Sequence, residues 1–154
     1  MKSGKPVSAS AVDDQVLEVF PDDLNPHGTL FGGRALQIAD SLAAIVAKRH
    51  AGVVCVTLAI DSVRFLNPAR QGDILVCMSS VNRTWRTSME IGVRIIAQNF
   101  RTLETKDIFS AYFTFVAVDD HHRPVEIPPV IPETPNQKRR YAAADERRNN
   151  RLRK

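Results

Sequence analysis

A single long apolar helix dominates the first half of the sequence. Residues 30–51 are rich in Ala, Leu and Ile and contain no proline. Between positions 35 and 47 the only polar residues are Gln37, Asp40 and Ser41. A helix that is apolar on nearly every side must be wrapped by other structure rather than lie on the surface of a domain.

Nearly everything after this helix predicts strands. Residues 53–60 form an almost continuous apolar run, and a further strand is expected at 74–81. Residues 89–95 and 109–115 alternate apolar and other residues with a period of two. With a first strand at 15–20, this order predicts an α+β domain in which an antiparallel sheet curls around one helix. One sheet covers only part of such a helix, so we expect two copies to join their sheets edge to edge.

The chain divides into four predicted segments. Residues 1–10 are short and polar and predict a flexible N-terminus. Residues 11–123 form the domain. Five of the nine prolines fall within 124–135, which predicts a linker, and 136–154 predicts a basic helical tail.

Positive charge is concentrated in that tail. The chain has 21 Lys and Arg against 17 Asp and Glu, but residues 136–154 alone hold 8 of the cations and 2 of the acids. The rest of the chain is therefore slightly acidic, which argues against a nucleic-acid partner.

No apolar run approaches the 18 or so residues of a membrane span, and the first ten residues lack the apolar segment of a secretory signal. Cys55 and Cys77 lie in apolar, strand-like runs without metal-ligand spacing, which predicts reduced, buried thiols and no metal site. A cytoplasmic location is expected.

The start of the helix carries the first chemical signal. Gly32 and Gly33 stand where the helix should begin, so backbone N–H groups at the positive end of its dipole are not screened by side chains. Such a site suits a phosphate or an oxyanion formed from a carbonyl. The alternative is that the glycines only permit a tight turn or close packing.

Asp40 lies seven residues after Gly33, two turns along nearly the same face of the helix. Its neighbours are apolar, and a buried carboxylate is costly unless it is paired, which favours a general base. The alternative is a solvent-facing polar stripe with Gln37 and Ser41. In the preceding loop, Asn25 is suited to position a water or a carbonyl, whereas His27 is more simply an exposed turn residue.

These residues form a recognisable pattern. From Asn25 the chain reads Asn-x-x-Gly-x-x-Phe-Gly-Gly, and Asp40 follows seven residues after the last glycine. This resembles the acyl-CoA thioesterases of the hot-dog superfamily, especially the bacterial acyl-CoA hydrolases related to the brain-type enzyme. The likeness extends over about residues 15–150 and includes the segments 56–61, 65–68, 72–73, 86–90 and 115–119.

The resemblance implies a hot-dog fold: a five-stranded antiparallel sheet around one central helix, paired into homodimers and often into trimers of dimers. It implies hydrolysis of an acyl-CoA thioester at the dimer interface without metal or cofactor, CoA being part of the substrate and product. Asp40 would be the general base or nucleophile, Asn25 of the facing subunit would position the water or thioester, and the N–H groups of Gly32 and Gly33 would polarise the carbonyl.

The same resemblance implies contacts to the substrate from six further residues: Phe31, Phe65, Arg86, Thr87, Ser88 and Met89. Arg139 and Arg140 in the tail are candidates for the CoA phosphates, because arginine binds phosphate by bidentate hydrogen bonds. The alternative is a solvated tail helix that packs on a neighbouring subunit.

Three other functions remain open at this point. A non-catalytic acyl-CoA sensor would keep the pocket but would not need Asp40. A phenylacetate-pathway-type thioesterase usually carries His where this chain has Phe31. A hot-dog dehydratase would need a His paired with an acid at the helix start. Trp85, where the family often has glycine, either reshapes the channel for CoA or covers the core.

Overall fold

The computed structural model describes residues 2–153 as one helix wrapped by one sheet, with a second helix on the other side of that sheet. The elements, in chain order, are β1 (Lys5–Pro6), β2 (Val12–Glu18), α1 (Gly32–Ala51), β3 (Cys55–Phe65), β4 (Ile74–Thr84), β5 (Ser88–Gln98), β6 (Thr105–Ala117), β7 (Val130–Ile131) and α2 (Pro135–Leu152). The large sheet is five-stranded and antiparallel, in the order β2-β4-β5-β6-β3. The predicted α+β architecture is confirmed.

Helix α1 packs against β3, β4, β5 and β6 and provides one side of the core. It begins at Gly32, two residues later than predicted, and ends where Gly52 adopts the left-handed conformation with φ of 74°. The Gly52 N–H donates to the carbonyl of Lys48 at 2.8 Å, which closes the last turn. Strand residues that alternate along the sheet, such as Ile91 and Phe113, face α1 and are completely buried.

The two edges of the sheet are β2 and β3. Strand β3 is eleven residues long, and its apolar side chains are exposed, Leu58 to 67% and Val56 to 42%. A long apolar edge strand is a template for pairing with another chain. Strand β3 is therefore an edge suited to the predicted joining of two sheets, and that joining stays a prediction.

The N-terminal segment differs from the flexible start that the sequence predicts. Lys5 and Pro6 pair in parallel with Val130 and Ile131, and the Lys5 N–H donates to the carbonyl of Pro129 at 2.9 Å. Val7 is buried beside them. Residues 5–10 and the Pro-rich segment therefore hold each other against the domain.

Helix α2 begins with a capping box, in which the Thr134 hydroxyl accepts from the Gln137 N–H and the Gln137 side chain accepts from the Thr134 N–H. It lies on the outer face of the sheet, opposite α1, and contacts β4. The predicted basic tail helix is thus present, but it packs on its own chain. Neither helix is long and apolar enough to cross a membrane, over the residues described.

Candidate active site

Asp40 lies on α1 at the surface that faces β3. Its Oδ1 accepts a hydrogen bond of 2.8 Å from the hydroxyl of Thr57. Thr57 is opposite Phe115 in the sheet, and Phe115 is opposite Met89, so the three side chains form a row on the face that packs against α1. Asp40 is half-buried and Thr57 is exposed along the free edge, which leaves the carboxylate open on that side.

The loop before α1 is organised around the side chain of Asn25. Oδ1 of Asn25 accepts from the backbone N–H groups of His27 and Thr29, at 2.9 and 3.1 Å, and its Nδ2 donates to the Thr29 hydroxyl at 3.0 Å. Nε of Arg34 donates to Oδ1 of Asp23 at 2.9 Å and ties the first turn of α1 to the same loop. Asn25 therefore has a fixed position at the start of the helix.

The first turn of α1 presents free donors. The N–H groups of Arg34 and Ala35 both donate to the carbonyl of Phe31, and the Phe31 side chain provides no cap. Within residues 2–153, the N–H groups of Gly32 and Gly33 donate to no protein acceptor. These are the two donors to which the sequence assigns an oxyanion, and that role stays a prediction.

A cavity of about 320 Å³ opens beside Gly32. It is lined by Asn25, Ala35, Phe65 and Ile108, among others. The ring of Phe65 lies so close to Gly32 that a β-carbon there would come within 3.3 Å of it, so glycine permits this contact. The Phe31 ring is exposed nearby, and both phenylalanines predicted to contact substrate lie at this end of α1.

One chain does not bring all the predicted catalytic groups together. An α-helix rises 1.5 Å per residue, so Asp40 lies about 10 Å along α1 from Gly33. Asn25 shares the cavity with Gly32 at the N-terminal end of α1, whereas Asp40 lies near the middle of the helix. A thioester within hydrogen-bond reach of the glycine N–H groups is therefore out of reach of Asp40 in the same chain.

The β4–β5 turn places the next group of predicted substrate contacts. The carbonyls of Arg86 and Thr87 accept backbone hydrogen bonds from Ile127 and Ala117, both at 3.0 Å. The Arg86 side chain is exposed, whereas Met89 is completely buried in the core. Met89 therefore supports the row beneath Thr57 in this chain rather than presenting an accessible surface.

The ring of Trp85, in the same turn, packs under the Arg148 guanidinium at 4.6 Å. This contact joins α2 to the β4–β5 turn. The structure thus shows Trp85 as a docking point for the tail helix.

Arg139 and Arg140 line a groove on the outer face of the sheet, with Tyr112 and Gly92 in the floor. Because successive strand residues point to opposite faces, Tyr112 faces away from the α1 side, where Phe113 lies. The contact of Arg139 and Arg140 with the CoA phosphates stays a prediction. Because the groove and Asp40 lie on opposite faces of the sheet, one CoA molecule would have to pass around the sheet to reach both in the same chain.

Three of the four histidines lie in turns. His27 is exposed in its turn, and His121 and His122 lie in a turn that is closed by Asp119. Over residues 2–153, no three His, Cys, Asp or Glu side chains cluster as metal ligands.

The fold and this site can be compared with those of known proteins. The family model described as the thioesterase superfamily matches residues 27–103, which include Asp40, Thr57 and the glycine pair. An uncharacterized acyl-CoA thioester hydrolase of Bacillus subtilis, YkhA, is 39% identical over 133 residues, which cover 86% of this chain and 77% of the relative. The chain belongs to the thioesterase superfamily.

Solved thioesterases share nearly the whole fold. A crystal structure described as an apo-hexameric acyl-CoA thioesterase has a TM-score of 0.95 and 39% identity, and the match covers 99% of this chain and 97% of that one. The acyl-CoA hydrolase of Staphylococcus aureus, solved with butyryl-CoA, CoA and CoA disulfide, has a TM-score of 0.90 and 38% identity over 96% of this chain and 90% of its own. The resemblance and the hot-dog fold that it implied are confirmed.

Three further structures of the Staphylococcus aureus thioesterase each carry alanine in place of one residue: an asparagine, an aspartate or a threonine. Those three residues are separated along their chain by the same intervals as Asn25, Asp40 and Thr57 here. The asparagine variant was solved with CoA.

Thr57 is the functional candidate that sequence reasoning missed. It lies in the segment 56–61 that resembles the family, but its hydroxyl was not distinguished from ordinary strand threonines. The available signal was a single polar residue within the apolar run of residues 53–60.

Proposed function

We propose that this chain hydrolyses acyl-CoA thioesters at sites that each combine two copies of the chain. The observation that carries this proposal is the separation of about 10 Å, along α1, between Asp40 and the free N–H groups of Gly32 and Gly33. In a twofold dimer with antiparallel central helices, Asp40 of one copy lies near the helix start of the other. Asn25 then comes from the same copy as the glycines.

The exposed edge of β3 supports such a dimer. Pairing two β3 strands extends the sheet and covers apolar side chains such as Val56 and Leu58. Thr57 lies on that edge, so pairing also encloses the Asp40 carboxylate. Trimers of dimers would then correspond to the hexamers described for the relatives.

The proposed chemistry needs only groups that the chain provides. Oδ1 of Asp40 is held by Thr57, which leaves the other carboxylate oxygen for chemistry. This oxygen either takes a proton from a water that attacks the thioester carbonyl, or attacks that carbonyl itself and forms a mixed anhydride, which water then hydrolyses to release the acid and restore Asp40. The oxyanion that forms accepts hydrogen bonds from Gly32 and Gly33 of the other copy. The carbon–sulfur bond then breaks and CoA leaves as a thiolate, which takes up a proton. Removal of one such N–H donor costs about 2.7–4 kcal/mol of transition-state stabilisation.

Two groups of residues are proposed to contact the substrate because of where they lie in the structure. The cavity beside Gly32, with Phe31 and Phe65, provides apolar surface next to the oxyanion donors. Arg86, Thr87 and Ser88 lie at the end of the sheet where Thr57 and Asp40 are found, and they are assigned to the CoA side of the thioester.

A mixing experiment tests the shared site. Asp40→Asn and Asn25→Ala are each expected to abolish release of free CoA thiol while retaining the oligomer. When the two variants are unfolded and refolded together, half the dimers combine both variants, and each of these has one intact site. A twofold dimer builds both of its sites from the same pair of surfaces. Since half of the dimers then have one working site out of two, activity should return to about one quarter of the wild-type value.

Two outcomes would contradict the proposal. No recovery after mixing, with mixed dimers demonstrated by a mass-labelled copy, would mean that each site is built within one chain. Absence of turnover by the wild type with any acyl chain, despite measurable CoA binding, would indicate a sensor rather than an enzyme.

A further inference from the structure

A second concave site lies on the face of the sheet away from α1. It is a groove of about 640 Å³ between the first turns of α2 and the outer surface of β4, β5 and β6. Its floor consists of small residues: Ser80 is opposite Gly92, and the neighbouring Ser110 is opposite Arg94. Small residues in adjacent strands leave space above the sheet. The volume is in the range of small-molecule sites.

The walls of the groove carry unequal charge. Arg94 and Asp107 neutralise each other through a hydrogen bond of 2.6 Å. Arg139 and Arg140 also line the groove, and neither forms an ion pair within residues 2–153. They outnumber the remaining carboxylate, that of Asp13.

A buried donor in the floor lacks an acceptor. Asn82 is only 3% exposed and lines the groove, and its Nδ2 has no hydrogen-bond partner in the described part of the chain. The amide lies across Gly92, where a β-carbon would come within 3.0 Å of Nδ2. Unpaired buried donors are uncommon and costly, so this one indicates a polar partner above the glycine.

The helix that forms one wall is firmly attached. Nε of Arg147 donates to the buried carboxylate of Glu90 at 2.7 Å, and Arg151 donates to Asp61 at 2.8 Å. The Arg83 guanidinium stacks on Tyr141 at 4.1 Å. The backbone that positions Arg139 and Arg140 is therefore set before any ligand binds, which lowers the entropic cost of binding.

We infer that this groove binds a phosphate ester of nucleotide size, at a site separate from Asp40. Two arginines that form no ion pair in the described part of the chain suit phosphate oxygens, although Arg139 also donates a 3.4 Å hydrogen bond to Oδ1 of Asn136. Asp13 would repel a bare anion, but it accepts hydrogen bonds from the hydroxyl or amino groups of a larger ligand. Such a ligand is either a free nucleotide or the nucleotide end of a CoA whose thioester lies in a neighbouring copy's site.

Calorimetric titration of the full-length oligomer with ADP tests the inference. The variant Arg139→Gln/Arg140→Gln should bind ADP at least roughly tenfold more weakly than the wild type, because both phosphate ligands are lost. Lys138→Gln/Arg153→Gln removes the same charge from exposed positions of the same segment, outside the groove, and should bind ADP like the wild type. Ser80→Met, which fills the floor without changing charge, should also weaken binding.

Kinetics distinguish the two sources of the ligand. A raised KM of the arginine variant for acyl-CoA, with an unchanged KM for acyl-pantetheine, would assign the groove to the nucleotide of CoA. Loss of ADP binding with both KM values unchanged would assign it to a free nucleotide. Failure of ADP to bind the wild type, unchanged binding in the arginine variant, or equal weakening in the charge-matched control would overturn the inference.

Discussion

The hydroxyl of Thr57 donates a hydrogen bond of 2.8 Å to Oδ1 of Asp40 and joins the edge strand β3 to the central helix. This contact is the only side-chain hydrogen bond that Asp40 receives within residues 2–153. It holds one carboxylate oxygen of Asp40. In the proposed mechanism the other oxygen carries out the chemistry, and Thr57 is then a positioning residue for Asp40.

Two substitutions of Thr57 should distinguish the effect of its hydroxyl group from the effect of its β-branched shape. Thr57→Val keeps the β-branched side chain but loses the donor, and we expect kcat to fall about 10- to 100-fold with little change in KM, since an ion–dipole hydrogen bond is worth about 1.5–3 kcal/mol. Thr57→Ser should restore most of the activity. Free-thiol release at several acyl-CoA concentrations gives both constants. Equal activity of the valine and serine variants would show that the hydroxyl has no such role.

The free edge of β3 leads to a second prediction. Leu58→Lys places a charge on the exposed edge, and we expect it to prevent strand pairing between copies. Because each proposed site needs two copies, turnover should be lost together with the dimer mass in light scattering. Val16→Lys is the matched control, since Val16 is 57% exposed on the opposite edge strand β2. A monomeric but fully active Leu58→Lys variant would contradict the two-copy site.

The buried ion pair under α2 predicts a stability effect. Burial raises the pKa of Glu90, and the hydrogen bond from the Arg147 guanidinium at 2.7 Å offsets part of this rise. Arg147→Met should leave this carboxyl buried without its partner and reduce the free energy of unfolding by about 3–5 kcal/mol. Glu90→Gln/Arg147→Met should lose less, and Lys138→Met, exposed on the same helix, should change little. Urea unfolding measures all three; a double variant less stable than the Arg147 variant would refute this account.

The core of the fold could be predicted because its signals are local. The apolar pattern of α1 and the period-two pattern of β5 and β6 depend only on neighbouring residues. The pairing of Lys5–Pro6 with Val130–Ile131 depends on segments that lie far apart in sequence, so composition alone suggested a flexible start. The position of α2 likewise depends on a contact between distant segments, in which Arg147 of α2 pairs with Glu90 of β5. Glu90 is buried only once the sheet and α2 have come together, so the sequence alone does not indicate this ion pair.

The candidate site likewise combines residues that could be predicted from the sequence with a contact that could not. Asp40, Asn25 and the glycine pair could be predicted because their chemistry and their positions around the helix start are visible in the sequence, and because their spacing resembles that of a known family. The Thr57 contact depends on how β3 crosses α1, which a single sequence does not specify. Asp40 and Gly33 share a face of the helix, and the helical rise alone separates them by about 10 Å, which supports the proposed site between two copies.

The buried histidine at the end of α1 predicts how stability depends on pH. His50 is completely buried, its Nε2 lies 2.7 Å from the carbonyl of Pro128, and its Nδ1 has no partner over residues 2–153. Burial lowers its pKa, the hydrogen bond to Pro128 raises it in part, and nearby Lys5 lowers it further. The folded protein therefore binds this proton less readily than the unfolded chain, whose histidine has a pKa of about 6.5.

The sign of the effect follows from proton linkage. Above about pH 6.5 neither state holds the proton, and as the pH falls below that value the unfolded chain takes it up first, so stability decreases towards the lowered folded pKa. Urea midpoints of the wild type should fall between pH 7.5 and 5, and His50→Gln should show a flatter dependence, whatever its stability at pH 7.5. His121→Gln, exposed in the turn after β6, should retain the wild-type slope. If His50→Gln and the wild type lose stability equally over this range, other groups govern the pH dependence.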